Sequence, residues 1–138
     1  MAQYEFFAGI AGYVVEVSST TSGGVKIEKV YSVIDLGTVV NPDMTALQIE
    51  GAVTMALTAA IKNGISFKSG QTEQTNFHNN PIIRINEMPE VNVHILAEGG
   101  PTIKGVGEPG LPSFAPALGN AIYAATGKRV RRMPFDLN

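Results

Sequence analysis

Apolar and polar positions alternate over two stretches near the start of the chain. Residues 3–17 mix aromatic and apolar positions with the β-branched Val14, Val15 and Val17, which reads as one or two strands. Ser18 to Gly24, the run Ser-Ser-Thr-Thr-Ser-Gly-Gly, reads as a turn. Val25-Lys26-Ile27-Glu28-Lys29-Val30 then alternates as a half-exposed strand does. It grows more apolar through Tyr31-Ser32-Val33-Ile34, where the strand passes under cover.

Asn41-Pro42 opens the plainest helix, with Asn41 able to cap and Pro42 suited to the first helical position. The pattern predicts a helix to about Lys62, closed by Asn63-Gly64. Its positions are small and apolar nearly all round, including Ala46, Ile49, Gly51, Val53, Met55 and Leu57. A helix without a polar face is normally buried on all sides, so this one is either central or docked on a partner.

Ile65 to Thr75 reads as a hairpin about Ser69-Gly70, and Asn76 to Pro81 as a polar loop. A short extended piece follows at 81–85, interrupted by Pro89, and Val91 to Ile95 alternates as a strand. Residues 97–113, rich in Gly and Pro, read as loop. Ser113 stands where it could cap a last helix over 114–126, ended by Gly127. Gly119 inside that helix costs about 1 kcal/mol relative to Ala, so it is expected to mark a close helix contact. The order of elements predicts an α+β fold. It has a mixed or antiparallel sheet, one long buried helix and a second C-terminal helix, in a single domain over 1–138.

The length of 138 residues suffices for one core, and 44% apolar with 16% charged residues is a globular balance. The low charge content leaves room for protein-facing surface. A net charge of -2 argues against a general nucleic-acid binder, and Lys128-Arg129 with Arg131-Arg132 reads as a solvated tail. The absence of cysteine excludes disulfides, thiolate zinc sites and iron–sulfur clusters on these residues. No apolar run reaches the ~20 residues that a membrane helix needs. Met1 to Gly12 lacks the features of a signal peptide. The compartment stays open, with the cytoplasm favoured and the periplasm reachable through a partner that carries the signal.

The candidate chemistry lies in Gly105-Val106-Gly107-Glu108-Pro109-Gly110. The spacing fits GxGxxG, but a dinucleotide fingerprint needs a strand running into a helix that receives the pyrophosphate. Pro109 and Pro112 forbid a regular helix start there. The loop instead presents one carboxylate, Glu108, among glycines that permit close approach. With few charges nearby, desolvation would raise its pKa towards that of a general base. The bland alternative is a turn glutamate pointing at water.

A wider set of blocks changes the weighing. Gly-Val-Gly-Glu-Pro-Gly, Ala115-Pro116-Ala117-Leu118, Asn120-Ala121, Ala124 to Arg129 and Arg131-Arg132-Met133-Pro134 resemble the end of the molybdenum-cofactor-binding subunit in the xanthine oxidase and aldehyde oxidoreductase superfamily. Asp35-Leu36-Gly37, Val40-Asn41-Pro42 and Gln48-Ile49-Glu50-Gly51 match a second block. Asn76-Phe77-His78 and Arg84 to Pro89 match a third, resembling the isoquinoline 1-oxidoreductase β-subunit branch.

That resemblance implies oxidative hydroxylation of an N-heterocycle or aldehyde with water as the oxygen source. Glu108 stands at the position of the base, and Gln48, Gly105, Val106 and Gly107 at the cofactor. The alternative for Gln48 is a buried glutamine bonded to backbone. The cofactor implied is molybdopterin, in its cytosine dinucleotide form, with molybdenum, held by the full assembly and not by the isolated chain. No side chain is assigned as a metal ligand, and His78 and His94 read as a loop and a strand residue. The partners implied are the remaining segments of the molybdenum-binding subunit, an iron–sulfur subunit and a small-molecule substrate. Neither nucleic acid nor membrane is expected, and the isolated chain is expected to form homo-oligomers.

Lys104, Asn80 and Gly119 depart from the pattern, and Lys104 beside the loop could pair with Glu108 and lower its pKa. Three readings remain open. The chain is part of a split molybdenum hydroxylase, or a truncated relative or excised domain that folds without cofactor, or an unrelated α+β binding domain.

Overall fold

Turn chemistry and alternation make the first three strands a meander. β1 (Ala2–Phe6), β2 (Gly9–Ser19) and β3 (Val25–Asp35) pair antiparallel, with a bulge between Glu16 and Val17. The computed structural model describes residues 1–96 and 99–138. The helix α1 (Pro42–Ile61) carries the chain away, and a hairpin of β4 (Phe67–Lys68) and β5 (Gln71–Thr72) and a 3-10 turn at Ile85–Glu87 bring it back. β6 (Glu90–Leu96) then lies parallel to β3, as a crossover connection permits, completing a four-stranded mixed sheet in the order β1-β2-β3-β6. The helix α2 (Phe114–Thr126) ends at Gly127 with φ 72°. These elements realise the expected α+β class with a mixed sheet.

Both helices lie on one face of the sheet, α2 across β2 and β1, and α1 against β6 and α2. Register decides which residues meet them. Ala11 pairs with Ile34 and Ile34 with Ile95, while Tyr13 pairs with Ser32 and Ser32 with Val93. These residues point inward with Val15 and Val30, towards Ile49, Val53, Leu57, Phe114 and Leu118. The Phe114 ring meets Tyr13 edge-on, with centroids 5.7 Å apart. Burial pushes the Tyr13 hydroxyl up to about 12, offset in part by Ser32.

The α1 cap is as expected, with the Asn41 carboxamide oxygen accepting from Met44 N at 3.1 Å. α1 is buried on its inner side, closed by Ile49, Val53, Leu57 and Ala60, with β6 and α2 packed against it, while Met44, Leu47 and Met55 on its other side are exposed. By length and hydropathy this 20-residue helix would also suffice to cross a membrane, which corrects the expectation of no apolar run that long: the polar residues Asp43, Gln48 and Glu50 interrupt the pattern without lowering its mean hydropathy enough. Two smaller expectations change. Ser113 makes no side-chain cap and its hydroxyl donates instead to the Ala11 carbonyl at 3.1 Å, tying the start of α2 to β2. Gly119 makes no tight helix contact. A Cβ there would meet Val130 and Phe135 of the C-terminal tail at 3.5 and 3.7 Å, ordinary contact distances.

Candidate functional site

Three separate attachments position the loop at 105–110. The first is at the end of β3. Residues 102–104 run antiparallel to 36–38 through a bridge between Gly37 and Ile103, with Thr38 N donating to Thr102 O at 3.0 Å and Lys104 N to Leu36 O at 3.2 Å. The second is α1, where Gln48 Nε2 donates to the Gly107 carbonyl at 3.2 Å. The third is the core. Pro109 is fully buried, and a Cβ on Gly110 would lie 3.0 Å from Ala52 Cβ, 3.0 Å from Tyr13 Oη and 3.1 Å from Ile49 Cδ1. Gly110 is thus the glycine of this loop that close packing requires, while a Cβ at Gly105 or Gly107 would meet nothing within 4 Å.

The result is a loop rooted on one side and bare on the other. Glu108 is exposed, its carbonyl accepting from Leu111 N at 3.0 Å. Val106 is half-buried against the core. Gln48, read as a cofactor contact or a buried glutamine, is exposed and holds the loop backbone. Beside it lies a groove of about 290 Å3 lined by Val40, Asn41, Met44, Gln48, Lys104 and Val106. A second groove of about 410 Å3 lies between α2 and the tail, lined by Gly119, Tyr123, Arg129 and Phe135, with none of the loop residues 105–110 in its wall. There the Arg129 guanidinium stacks 3.7 Å from the Tyr123 ring centre. His78 and His94 are exposed, on a loop and a strand as read.

Lys104 does not turn to Glu108. Its ammonium lies 3.5 Å from Asp35 Oδ1 at the end of β3, because the bridge to 36–38 carries it there. The Asp35 carboxyl is held below its usual range, first by the Gly37 N–H donated to it at 2.9 Å and then by Lys104. These partners are 69 positions apart, and no local signal in the sequence announces them.

The polar groups on the bare side are an amide side chain, main-chain groups of two unobstructed glycines and an accepting carboxylate. They fit one edge of a polar heterocyclic cofactor that approaches backbone closely, and they do not enclose it. Among the described residues, no cluster of His, Cys, Asp and Glu is arranged to hold a metal ion.

Residues 1–89 match the family described as the molybdopterin cofactor-binding domain, a stretch that includes Gln48 and stops short of Glu108. The chain is similar to isoquinoline 1-oxidoreductase subunit beta of Brevundimonas diminuta, 31% identical over 79% of this chain and 14% of that one. It is also similar to the membrane-bound aldehyde dehydrogenase [pyrroloquinoline-quinone] of Gluconacetobacter polyoxogenes, 34% identical over 83% of this chain and 15% of that one. The chain thus spans about one seventh of the length of these relatives. In fold it resembles the crystal structure of quinoline 2-oxidoreductase from Pseudomonas putida 86, with a TM-score of 0.79 over 91% of this chain and 17% of that one, at 21% identity. By the match of its first 89 residues, the chain belongs to the molybdopterin cofactor-binding domain family of the xanthine oxidase and aldehyde oxidoreductase superfamily.

Proposed function

We propose that these 138 residues are a single domain at the C-terminal end of a molybdenum-binding subunit, and that Glu108 is its general base in the oxidative hydroxylation of an N-heterocycle or aldehyde. The observation that carries this reading is the placement of Glu108, at the bare tip of a loop whose root is buried at Pro109-Gly110. A rigid root with an exposed carboxylate suits a group that must meet a substrate brought by another part of the assembly. Gln48 holds the loop through Gly107, and with Gly105, Val106 and Gly107 it forms the edge on which molybdopterin, in its cytosine dinucleotide form, rests. When bound, that cofactor with its molybdenum supplies the oxidising centre. Glu108 accepts the proton that leaves as the oxygen of water becomes the nucleophile. An iron–sulfur subunit, the remaining segments of the molybdenum-binding subunit and the small substrate complete the assembly.

The quinone in the name of one relative gives a contrast for the test. The chain is assembled with its complementary polypeptides, and molybdenum content and turnover of a quinoline-type heterocycle and an aldehyde are measured for wild type and Glu108→Gln. The expected result is molybdenum in both and a loss of about 10²–10⁴-fold in turnover for the variant. An assembly that turns over on a quinone without molybdenum overturns the cofactor assignment. A near wild-type rate for Glu108→Gln overturns the base assignment.

A further inference from the structure

The exposed side of α1 is not a random scatter of apolar residues. Met44, Leu47, Gly51 and Met55 are spaced by three and four positions and so share one helix face. Met44, Leu47 and Met55 are 61%, 57% and 58% exposed. Gly51 lies at their centre in the middle of the helix, where glycine is less stable than alanine. A Cβ there would meet nothing within 4 Å, so nothing among the described residues uses its absence. A glycine between apolar side chains lets a second backbone come close.

The same face is covered one turn further on. Thr58 is buried, and its hydroxyl accepts from Ile83 N at 3.2 Å, while Lys62 Nζ bonds the Glu87 carboxylate at 2.6 Å. An extended segment of this chain therefore crosses the C-terminal end of the face. A groove of about 430 Å3 continues that track, lined by Leu47, Glu50, Gly51, Thr54, Met88 and Pro89. At its other end the face meets the candidate site, since Gln48 bonds Gly107 and Met44 lines the groove beside it.

We infer that the α1 face centred on Gly51 is the docking surface for polypeptide of the molybdenum-binding subunit outside these 138 residues, through an apolar segment that crosses the helix at Gly51. The inference rests on the functional reading above. The relatives, of which this chain spans 14% and 15%, hold ample further chain to supply such a segment. Whatever covers Met44 to Met55 is delivered to the groove beside Gln48, so covering the face and completing the site are one event.

The methionines themselves supply the test. Photo-methionine is incorporated into this chain, the assembly with its complementary polypeptides is irradiated, and cross-linked peptides containing Met44 or Met55 are identified. The expected partners are peptides of the molybdenum-binding subunit from outside the 138 residues. Cross-links from these two positions to a second copy, or none from either, overturn the inference. In parallel, Gly51→Phe is expected to keep the unfolding midpoint of the isolated chain and to lower co-purification with the subunit at least tenfold, Gly51→Ala having a smaller effect. Wild-type co-purification of both variants overturns it as well. Molybdenum content separates the two levels of failure. An assembly that holds molybdenum but leaves Met44 and Met55 uncross-linked refutes the docking face alone. One that forms without molybdenum refutes the functional reading.

Discussion

Gln48 and Gly107 are 59 positions apart and meet through a hydrogen bond of 3.2 Å that fastens the Glu108 loop to α1. The bond is exposed, so its contribution to stability is about 0.5–1.5 kcal/mol at most. Its contribution to placement is larger, because it holds the residue directly before Glu108. For Gln48→Ala the unfolding midpoint of the isolated chain is expected to change little, while amide exchange at 105–108 accelerates. In the assembly turnover is expected to fall by about tenfold, the equivalent of one such bond. Unchanged exchange at 105–108 would show that the bridge at 36–38 and the buried Pro109 suffice.

The two glycines Gly110 and Gly51 are expected to respond to alanine in opposite directions. Gly110→Ala places a methyl 3.0 to 3.1 Å from Ala52, Tyr13 and Ile49, inside ordinary van der Waals contact, and overpacking of this kind costs about 1–3 kcal/mol. Gly51→Ala meets open space and gains about 0.8–1 kcal/mol of helix propensity. Chemical denaturation of the two variants beside wild type reads both signs in one experiment.

Asp35 governs an acid-dependent part of the fold's stability. Its folded pKa is lowered, chiefly by the Gly37 N–H and then by Lys104. A lowered folded value means that the contribution is complete above the unfolded pKa, about 3.9, and is lost as pH falls through the folded one. Thermal melts of wild type and Asp35→Asn are therefore expected to differ near neutrality, to start converging only below about pH 4 and to meet once the lowered folded value is passed. Lys104→Gly is expected to weaken the anchoring of 102–104 and to leave the acidic limb of turnover where it was, since Lys104 faces Asp35. An acidic limb that moves in that variant would place the lysine's influence on Glu108 after all.

The isolated chain is expected to hold no stoichiometric molybdenum, to show no hydroxylase turnover and to self-associate. On the proposed reading these residues supply one edge of a cofactor site and no more, and the apolar side of α1 lies open. The outer face of the sheet adds Ile10, Val14, Tyr31 and Val33, each 40–45% exposed. Apolar surface of this kind in water marks an interface. Elemental analysis and light scattering check the two halves, and a clean monomer at high concentration would show that neither face associates with itself.

What the sequence determined by itself is what local chemistry decides. Alternation set β2, β3 and β6, and Asn41-Pro42 set the start of α1. Gly127, free to take positive φ, set the end of α2. The blocks around Gln48 and Glu108 made the family legible in the chain itself, because such motifs are contiguous. What only the tertiary structure decided depends on register and crossover, which no local pattern encodes. The parallel pairing of β3 with β6 brings the chain back beside the end of β3, and from there 102–104 bridges to 36–38. That geometry turned Lys104 to Asp35 and left Glu108 free of it. The same folding gave Gly110, and not Gly105 or Gly107, the tight place beneath Tyr13. It covered one side of a largely apolar helix and left the side centred on Gly51 bare, because β6 and α2 pack against the other side.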